Sequence, residues 1–206
     1  MSNITTVILA AGKSTRFKAT TSKLVYPLCG LPIISHVYSV AKKISGNKVI
    51  VVCSRNNIDE LKLILKNCTF VIQNHQKGTA DAIEQAKNKI NTKNILVLFG
   101  DTPLITFSII KKLIKKFLSS RVKASLVAFR TLKPFGYGRL IINNNYLEEI
   151  IEEINLTSYQ KKINLCNSGI LIADSKILFD NLKYIKVNKN KKERYLPDIF
   201  KIFYNN

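Results

Sequence analysis

The stretch Leu9-Ala10-Ala11-Gly12-Lys13-Ser14-Thr15-Arg16 follows directly on an apolar run at residues 5–9. The run predicts a strand, and the small residues at its end let backbone N–H groups approach a phosphate without a Cβ in the way. Lys13, Arg16 and, farther along, Lys23 bring positive charge to the edge of the sheet where open α/β folds bind ligands. The stretch predicts a phosphate-binding loop in an α/β fold. The alternative is an ordinary strand-to-helix turn.

The strand-and-helix order repeats along the first part of the chain. Short, nearly continuous runs rich in β-branched residues predict strands at 6–10, 48–53, 69–72, 94–99 and 124–129. Apolar residues at three- and four-residue spacing predict helices between them, at 33–44, 58–65, 79–90 and 107–117. This order is typical of a doubly wound, Rossmann-like α/β fold with a mostly parallel sheet.

After Arg130 the pattern changes to that of a hairpin. Strands at 139–142 and 146–151 flank the turn Asn143-Asn144-Asn145. A strand at 166–172, a helix from Ser175, an exposed basic loop at 186–192 and a final helix at 193–204 complete the prediction. We predict one domain over residues 1–206, with a first half (1–130) of alternating strands and helices and a second half (131–206) that contains a late antiparallel hairpin insertion.

The charge balance is strongly basic, with a formal net charge of +20. The 27 Lys outnumber the 6 Arg and are accompanied by 28 Ile and 20 Asn, a pattern that an AT-rich genome produces through codon usage. The lysines are also spread in pairs along predicted helix faces, such as Lys111-Lys112 and Lys115-Lys116. Nucleic-acid interfaces instead cluster cations with Arg and aromatic residues. We therefore predict no nucleic-acid partner.

No apolar run is long enough to span a bilayer, and the chain opens on Met1-Ser2-Asn3 without a signal-like segment. Its four cysteines lie far apart and without CxxC spacing, which favours reduced thiols over disulfides or a zinc site. These features predict a cytoplasmic protein without a membrane partner. They leave the oligomeric state open.

A second polar segment, Gln73-Asn74-His75-Gln76-Lys77-Gly78-Thr79, separates the strand at 69–72 from the helix at 79–90. Gly78 allows a tight approach, Thr79 can cap the helix, and Gln73 offers an amide that can pair with the edge of a base. The alternative is an ordinary Gly-Thr helix start.

Asp101 follows the most apolar strand, within Phe99-Gly100-Asp101-Thr102-Pro103. A lone carboxylate at the carboxyl end of a central strand suits Mg²⁺, which takes one or two carboxylates and fills its octahedron with waters and substrate phosphates. The alternative is an Asp that caps the helix starting near Thr106.

The sequence contains no GxSxG, GxxxxGK[ST] or GxGxxG motif and no Cys–His pair at motif spacing. Its two histidines are His36, which we interpret as structural, and His75. A site made of Lys, Arg, backbone N–H groups and Mg²⁺ suits a nucleophile that arrives already ionised. Phosphoryl or nucleotidyl transfer between phosphates meets this description, because its catalysis is mostly positioning and charge neutralisation.

Taken in order, these motifs resemble the nucleotidyltransferase family of sugar-nucleotide pyrophosphorylases. The resemblance is most specific to the uridylyltransferase domain of the bifunctional N-acetylglucosamine-1-phosphate uridylyltransferase/glucosamine-1-phosphate acetyltransferase. It covers residues 5–200 and rests on LAAGKSTRF (9–17), PLCGLPIISHV (27–37), QNHQKGT (73–79), FGDTPLI (99–105), GYGRL (136–140), NSGILIAD (167–174) and ERYLPDI (193–199). It implies a fold of the nucleotide-diphospho-sugar transferase type, and we expect no acetyltransferase β-helix domain in this chain.

The resemblance also implies roles for individual residues. Arg16 and Lys23 stabilise the triphosphate and the charge that develops at the α-phosphorus, and Asp101 binds Mg²⁺. The remaining nucleotide contacts are implied for Leu9, Ala10, Ala11, Gly12, Gln73, Gly78, Thr79, Phe99 and Gly100, and contacts to the amino-sugar phosphate for Gly138, Glu152 and Asn167.

The resulting hypothesis is a Mg²⁺-dependent enzyme that joins UTP and N-acetylglucosamine 1-phosphate into UDP-N-acetylglucosamine, for cell-envelope precursors. One alternative is the same fold acting on another sugar phosphate or on a molybdenum cofactor. Another is a domain that binds nucleotide without turnover.

Overall fold

The structure is a computed structural model that describes residues 3–12, 22–188 and 192–206. Its strands are β1 (Ile4–Ala10), β2 (Pro27–Leu28), β3 (Leu31–Pro32), β4 (Val49–Cys53), β5 (Thr69–Ile72), β6 (Asn94–Phe99), β7 (Ala124–Arg130), β8 (Arg139–Asn143), β9 (Tyr146–Ile151) and β10 (Leu165–Asp174). Its α-helices are α1 (Ile33–Ser45), α2 (Ile58–Ile64), α3 (Thr79–Ala86), α4 (Phe107–Leu118), α5 (Ser175–Asn181) and α6 (Ile199–Asn205).

A mixed sheet in the order β5-β4-β1-β6-β10-β8-β9 forms the centre, with β7 also paired to β10. Strands β5, β4, β1 and β6 are parallel, so their carboxyl ends meet at one edge. Ile8 of β1 stands opposite Val51 of β4 on one side and opposite Leu98 of β6 on the other. All seven residues of β1 are buried, as expected for a central parallel strand.

Helices cover both faces of this sheet. Alternate residues of a strand point to opposite faces, so each central strand contributes side chains to a core on either side. Ile8 belongs to a core cluster with residues of α1, α2 and α4. Val7 belongs to a second cluster with residues of α3, α5 and α6. The prediction of a doubly wound α/β fold is confirmed.

The hairpin insertion is confirmed as well. Strands β8 and β9 pair antiparallel, from Arg139 opposite Ile151 to Asn143 opposite Tyr146. The turn residues Asn144 and Asn145 have φ angles of +48° and +64°. Two consecutive positive φ angles are what a tight hairpin needs, and Asn accepts them more readily than most residues.

Two sequence expectations differ from the structure. The fifth strand of the βα series, β7, pairs with β10 and not with β6, because β10 occupies the place beside β6. The final helix begins at Ile199 and not at residue 193. Residues 193–195 belong to no helix, and the backbone of Arg194 bonds to Lys77 and Ala80. Pro197 lies in a 3-10 turn and has no N–H to donate in a helix that starts earlier.

Several smaller observations concern the features noted in the sequence. Within the described ranges, no helix combines the length and apolar character needed to cross a bilayer. The four cysteines are free thiols. A ring nitrogen of His36 lies 2.8 Å from the carbonyl oxygen of Leu28, which agrees with a structural role. The lysine pairs of α4, Lys111-Lys112 and Lys115-Lys116, are exposed.

Candidate active site

A cleft of about 360 Å³ lies at the carboxyl ends of β1 and β6. Ten of the residues predicted to contact the nucleotide line it: Leu9, Ala10, Ala11, Gly12, Lys23, Gln73, Gly78, Thr79, Phe99 and Asp101. These residues come from four separate stretches of the chain, so the fold assembles them at one place. Lys13 and Arg16, also predicted for this site, lie outside the described residues.

Two side-chain amides hold the loop that follows β1. The Nδ2 of buried Asn57 donates to the carbonyl oxygen of Ala10 at 2.8 Å, and its Oδ1 accepts from the N–H of Ser54 at 2.9 Å. The Nε2 of Gln76 donates to the carbonyl oxygen of Ala11 at 2.6 Å. Because these bonds neutralise two carbonyl oxygens, the loop repels an anion less than a free turn would.

Lys23 and Asp101 meet in the cleft. The Nζ of Lys23 lies 2.6 Å from the Oδ2 of Asp101, and the two side chains are 34% and 39% exposed. An ion pair this accessible adds little to stability, so both charges are available to a ligand. The capping alternative for Asp101 is wrong, because Thr106 caps α4 and accepts from the N–H of Ile109 at 3.3 Å.

Gly78 makes a close contact with the C-terminal part of the chain. Its φ of +103° is rare for L-residues, and a Cβ here would lie 2.3 Å from the carbonyl oxygen of Arg194. That carbonyl accepts from the N–H of Ala80 at 3.1 Å, and the N–H of Arg194 donates to Lys77 at 2.8 Å. The guanidinium of Arg194 also lies 2.6 Å from the carboxylate of Glu84. The turn before α3 is therefore built against residue 194 and requires glycine.

Thr79 does not cap α3, because Gly78 occupies the N-cap position. The hydroxyl of Thr79 instead accepts from the N–H of Leu196 at 2.8 Å. The interpretation of Thr79 as a helix cap is wrong, since a distant segment uses that oxygen. Thr79 still lines the cleft.

Gln73 is 5% exposed, and its amide nitrogen has two partners. The Nε2 donates to the carbonyl oxygen of Gly78 at 3.0 Å and to the Oδ2 of Asp81 at 2.7 Å. The Gln73 amide, which we predicted to bind the edge of a base, is therefore also bonded to the Gly78 turn that lines the cleft.

Gly100 is not among the lining residues. Its N–H donates to the carbonyl oxygen of Leu9 at 3.0 Å, which ties the end of β6 to β1. The neighbouring Phe99 does line the cleft, and Gly169 leaves space for its ring. A Cβ at Gly169 would lie 2.5 Å from that ring.

The predicted sugar-phosphate residues form a second group. The N–H of Asn167, in β10, donates to the carbonyl oxygen of Gly138 at 2.9 Å. A Cβ at Gly138 would lie 3.3 Å from the Oε1 of Glu152. The structure thus brings Gly138, Glu152 and Asn167 together, although none of them lines the 360 Å³ cleft.

A buried arginine supports this second group. Arg139 is 1% exposed, and its Nη2 lies 2.8 Å from the Oε2 of Glu153. Its Nε also donates to the carbonyl oxygen of Ile163 at 2.9 Å. A buried charge needs such partners, and together they fix the backbone on either side of Gly138 and Glu152.

Five lining residues are missing from the predicted set: Leu24, Gln76, Ala82, Glu193 and Tyr195. Glu193 and Tyr195 belong to the ERYLPDI motif, so the sequence did contain a signal for them. Burial raises the pKa of Tyr195 to about 12, and the carboxylates of Glu193 and Glu152 add to the rise. The Tyr195 hydroxyl therefore keeps its proton at neutral pH and can donate it in a hydrogen bond. The influence of Glu152 on Tyr195 links the second group to the cleft.

Comparison with known proteins identifies the family. Residues 6–158 match the family model of the MobA-like NTP transferase domain. The chain belongs to that family. It is a nucleotidyltransferase, as its relatives also indicate.

These relatives match nearly the whole chain. The bifunctional protein GlmU of Listeria innocua is 34% identical over 205 residues, which is 98% of this chain and 45% of that protein. GlmU of Campylobacter fetus is 35% identical over 210 residues, 98% of this chain and 46% of that protein. In these relatives the matched part is the N-terminal uridylyltransferase domain. The chain therefore spans about half the length of the relatives that it matches.

A solved structure shares the fold. The structure of a putative glucose-1-phosphate thymidylyltransferase from Bacillus anthracis superposes with a TM-score of 0.82. The match covers 98% of this chain and 82% of the other, at 19% sequence identity. This agreement supports the observed fold.

Asp198 gives this nucleotidyltransferase domain a predicted pH-dependent stability. Burial raises the pKa of Asp198 to about 6; Glu152 and Glu149 add to the rise, and Lys201 opposes it. A carboxyl with a raised pKa in the folded state binds more protons there than when unfolded. Its contribution to stability therefore falls as the pH rises from about 4 to about 6.

We expect Asp198→Asn to stabilise the folded state by about 1 kcal/mol at pH 7.5, which corresponds to a rise of about 2–4 °C in the melting temperature. The gain should be much smaller at pH 4, where Asp198 is protonated in the folded state and only partly ionised in the unfolded state. Thermal unfolding at the two pH values measures this, with the exposed Asp180→Asn as control. An equal gain at both pH values would mean that the side-chain change, and not ionisation, is responsible.

Proposed function

We propose that the chain joins UTP and N-acetylglucosamine 1-phosphate to give UDP-N-acetylglucosamine and pyrophosphate, with Mg²⁺ as cofactor. The observation that carries this proposal is the cleft, where a small-residue loop, Lys23, Asp101 and the Gln73–Gly78 turn come together. The 32–35% identity to the uridylyltransferase domain of GlmU supports the choice of substrates. The product is a precursor of cell-wall polymers, as the resemblance implies.

The reaction needs no side chain to activate the nucleophile. A phosphate oxygen of the sugar phosphate, already ionised at neutral pH, attacks the α-phosphorus of UTP in line. The new O–Pα bond forms as the bond from Pα to the bridging oxygen of the β-phosphate breaks, and pyrophosphate leaves with that electron pair. Among the described residues that line the cleft there is no histidine, which suits a reaction without a proton-transfer step.

In this proposal, positive charge and backbone groups do most of the catalytic work. The ammonium of Lys23 stabilises the charge that develops around the α-phosphorus in the transition state. The loop of Leu9, Ala10, Ala11 and Gly12 places the triphosphate, because these residues present little side chain between backbone and ligand.

Asp101 has the properties of a Mg²⁺ ligand. It is a partly exposed carboxylate in the cleft, and its recorded partner is the cation of Lys23. In the part of the chain that the structure describes, no group of three or more His, Cys, Asp or Glu residues could hold a metal alone. Mg²⁺ bound through one carboxylate and the substrate phosphates fits this set. When bound, the metal would neutralise charge on the triphosphate and on the departing pyrophosphate.

The second group provides the sugar-phosphate site in this proposal. Glu152 can accept hydrogen bonds from sugar hydroxyls, and Asn167 can offer amide donors and an acceptor. Glu193 and Tyr195 line the cleft, and Glu152 is one of the carboxylates that raise the pKa of Tyr195, so in this proposal they stand on the side of the nucleotide site that faces the sugar. Tyr195 stays protonated and donates its hydroxyl hydrogen to Glu193, so it would orient that carboxylate toward the sugar hydroxyls.

Pyrophosphate release tests the proposal. With UTP, N-acetylglucosamine 1-phosphate and Mg²⁺, we expect stoichiometric pyrophosphate and a product with the mass of UDP-N-acetylglucosamine. Reactions without the sugar phosphate serve as the control. If the enzyme turns over another sugar 1-phosphate faster, that compound and not N-acetylglucosamine 1-phosphate is the acceptor. If folded protein binds UTP but releases no pyrophosphate with any acceptor, the domain is a nucleotide-binding module.

A further inference from the structure

We propose that Asp81 determines base selectivity by fixing the orientation of the Gln73 amide. Gln73 is buried in the wall of the cleft, just after β5, and Asp81 stands in the first turn of α3. The Nε2 of Gln73 lies 2.7 Å from the Oδ2 of Asp81 and 3.0 Å from the carbonyl oxygen of Gly78. This inference rests on the proposed function, because it assigns the cleft to a nucleotide.

The two contacts allow one orientation of the amide. A glutamine NH₂ group has two N–H donors, and each of them faces an oxygen that can only accept. Rotating the amide by 180° would place Oε1 against the Asp81 carboxylate and the Gly78 carbonyl. That arrangement loses two hydrogen bonds and sets oxygen against oxygen in a buried place, which is costly. Asp81 is the charged member of the pair and holds the amide more strongly than a neutral group would.

A fixed amide presents a fixed hydrogen-bonding group. Both N–H groups are used inside the protein, so Oε1, an acceptor, is what the Gln73 side chain has to offer a base. Uracil and thymine carry an N–H at position 3 and can donate to it. The corresponding nitrogen of cytosine is an acceptor and would be repelled. The geometry therefore selects pyrimidines with an imide N–H.

Asp81 can also stabilise α3 without affecting the nucleotide, and the test must separate this structural role from an effect on base selectivity. An acidic residue in the first turn stabilises a helix through the helix dipole. Asp59 occupies the same kind of position in α2 and is exposed. Asp59→Asn therefore makes the same chemical change in a first turn, at a residue that does not line the cleft.

The experiment measures equilibrium binding of UTP, dTTP and CTP by calorimetry, with Mg²⁺ and without a sugar phosphate, so that turnover is not needed. For the unchanged chain we expect UTP and dTTP to bind about 10- to 100-fold more tightly than CTP. Asp81→Asn can face Gln73 with either an oxygen or an NH₂ group, so the ratio should fall to about threefold or less. Asp81→Glu keeps a carboxylate acceptor and should restore most of the selectivity.

Asp59→Asn should leave the UTP-to-CTP ratio unchanged, and thermal unfolding confirms that each variant is folded. An unchanged ratio in folded Asp81→Asn would overturn the inference and leave Asp81 as a helix-stabilising residue. So would a loss of UTP and CTP binding in equal proportion. If the unchanged chain binds none of the three nucleotides, the proposed function itself fails, which is a separate result.

Discussion

Replacing Lys23 by alanine is expected to lower kcat by about 10²–10³-fold, or about 3–4 kcal/mol of transition-state stabilisation. The ammonium stands in the cleft 2.6 Å from Asp101, where no described residue other than this lysine brings a cation to the lining. The fold should be unaffected, because an ion pair this exposed contributes little to stability. Steady-state pyrophosphate release, with a thermal melt of the same preparation, checks both expectations.

A matched control is Lys111→Ala, which removes an exposed lysine from α4 and should leave kcat unchanged. The effect of Lys23→Ala should fall on kcat more than on KM for UTP, because the charge is needed most in the transition state. If the variant keeps more than about a tenth of the kcat, Lys23 has no catalytic role.

Asp101→Asn is expected to reduce turnover at least as strongly, by about 10³-fold or more, at any Mg²⁺ concentration. With one protein carboxylate, Mg²⁺ binds chiefly as part of its complex with the nucleotide, and the unchanged enzyme should require roughly millimolar Mg²⁺. The amide keeps the shape of the side chain but loses the negative charge that holds the cation. Titrating Mg²⁺ at saturating UTP measures this dependence.

The exposed Asp180→Asn provides the control for the loss of one negative charge. If Asp101→Asn regains full activity at high Mg²⁺, Asp101 contributes affinity and is not essential. Activity that persists with a chelator present would remove Mg²⁺ from the proposed mechanism altogether.

Much of the fold follows from local signals in the sequence. Strands such as β1 and β6 are short apolar runs bounded by turns, and the central position of β1 explains why all its residues are apolar or small hydroxyl residues. The Asn143-Asn144-Asn145 turn marked the hairpin, because Asn accepts positive φ angles. Most residues predicted for the nucleotide line the cleft because they follow strands whose carboxyl ends meet at one edge.

The remaining features depend on contacts between distant segments. The start of α6 could not be placed because the backbone of Arg194 exchanges hydrogen bonds with Lys77 and Ala80, around the start of α3. The sequence around Thr79 predicts a helix cap, but its hydroxyl oxygen accepts a hydrogen bond from the N–H of Leu196, which is distant in sequence. The environment of the Gln73 amide also depends on the side chain of Asp81, two residues beyond the motif that suggested a base contact. Periodicity and motif spacing carry no information about such pairings.

The contact between Gly78 and Arg194 has a consequence for how the protein is made. One wall of the cleft consists of a glycine turn, and the segment that closes against it is synthesised much later, because Thr79 and Leu196 are bonded 117 positions apart. A nascent chain that has released β1 to β6 from the ribosome still lacks residues 193–196. Strands and helices can form progressively during translation, but the cleft is completed only when the C-terminal segment emerges. Until then the growing polypeptide carries its phosphate-binding loop without the pocket that surrounds it.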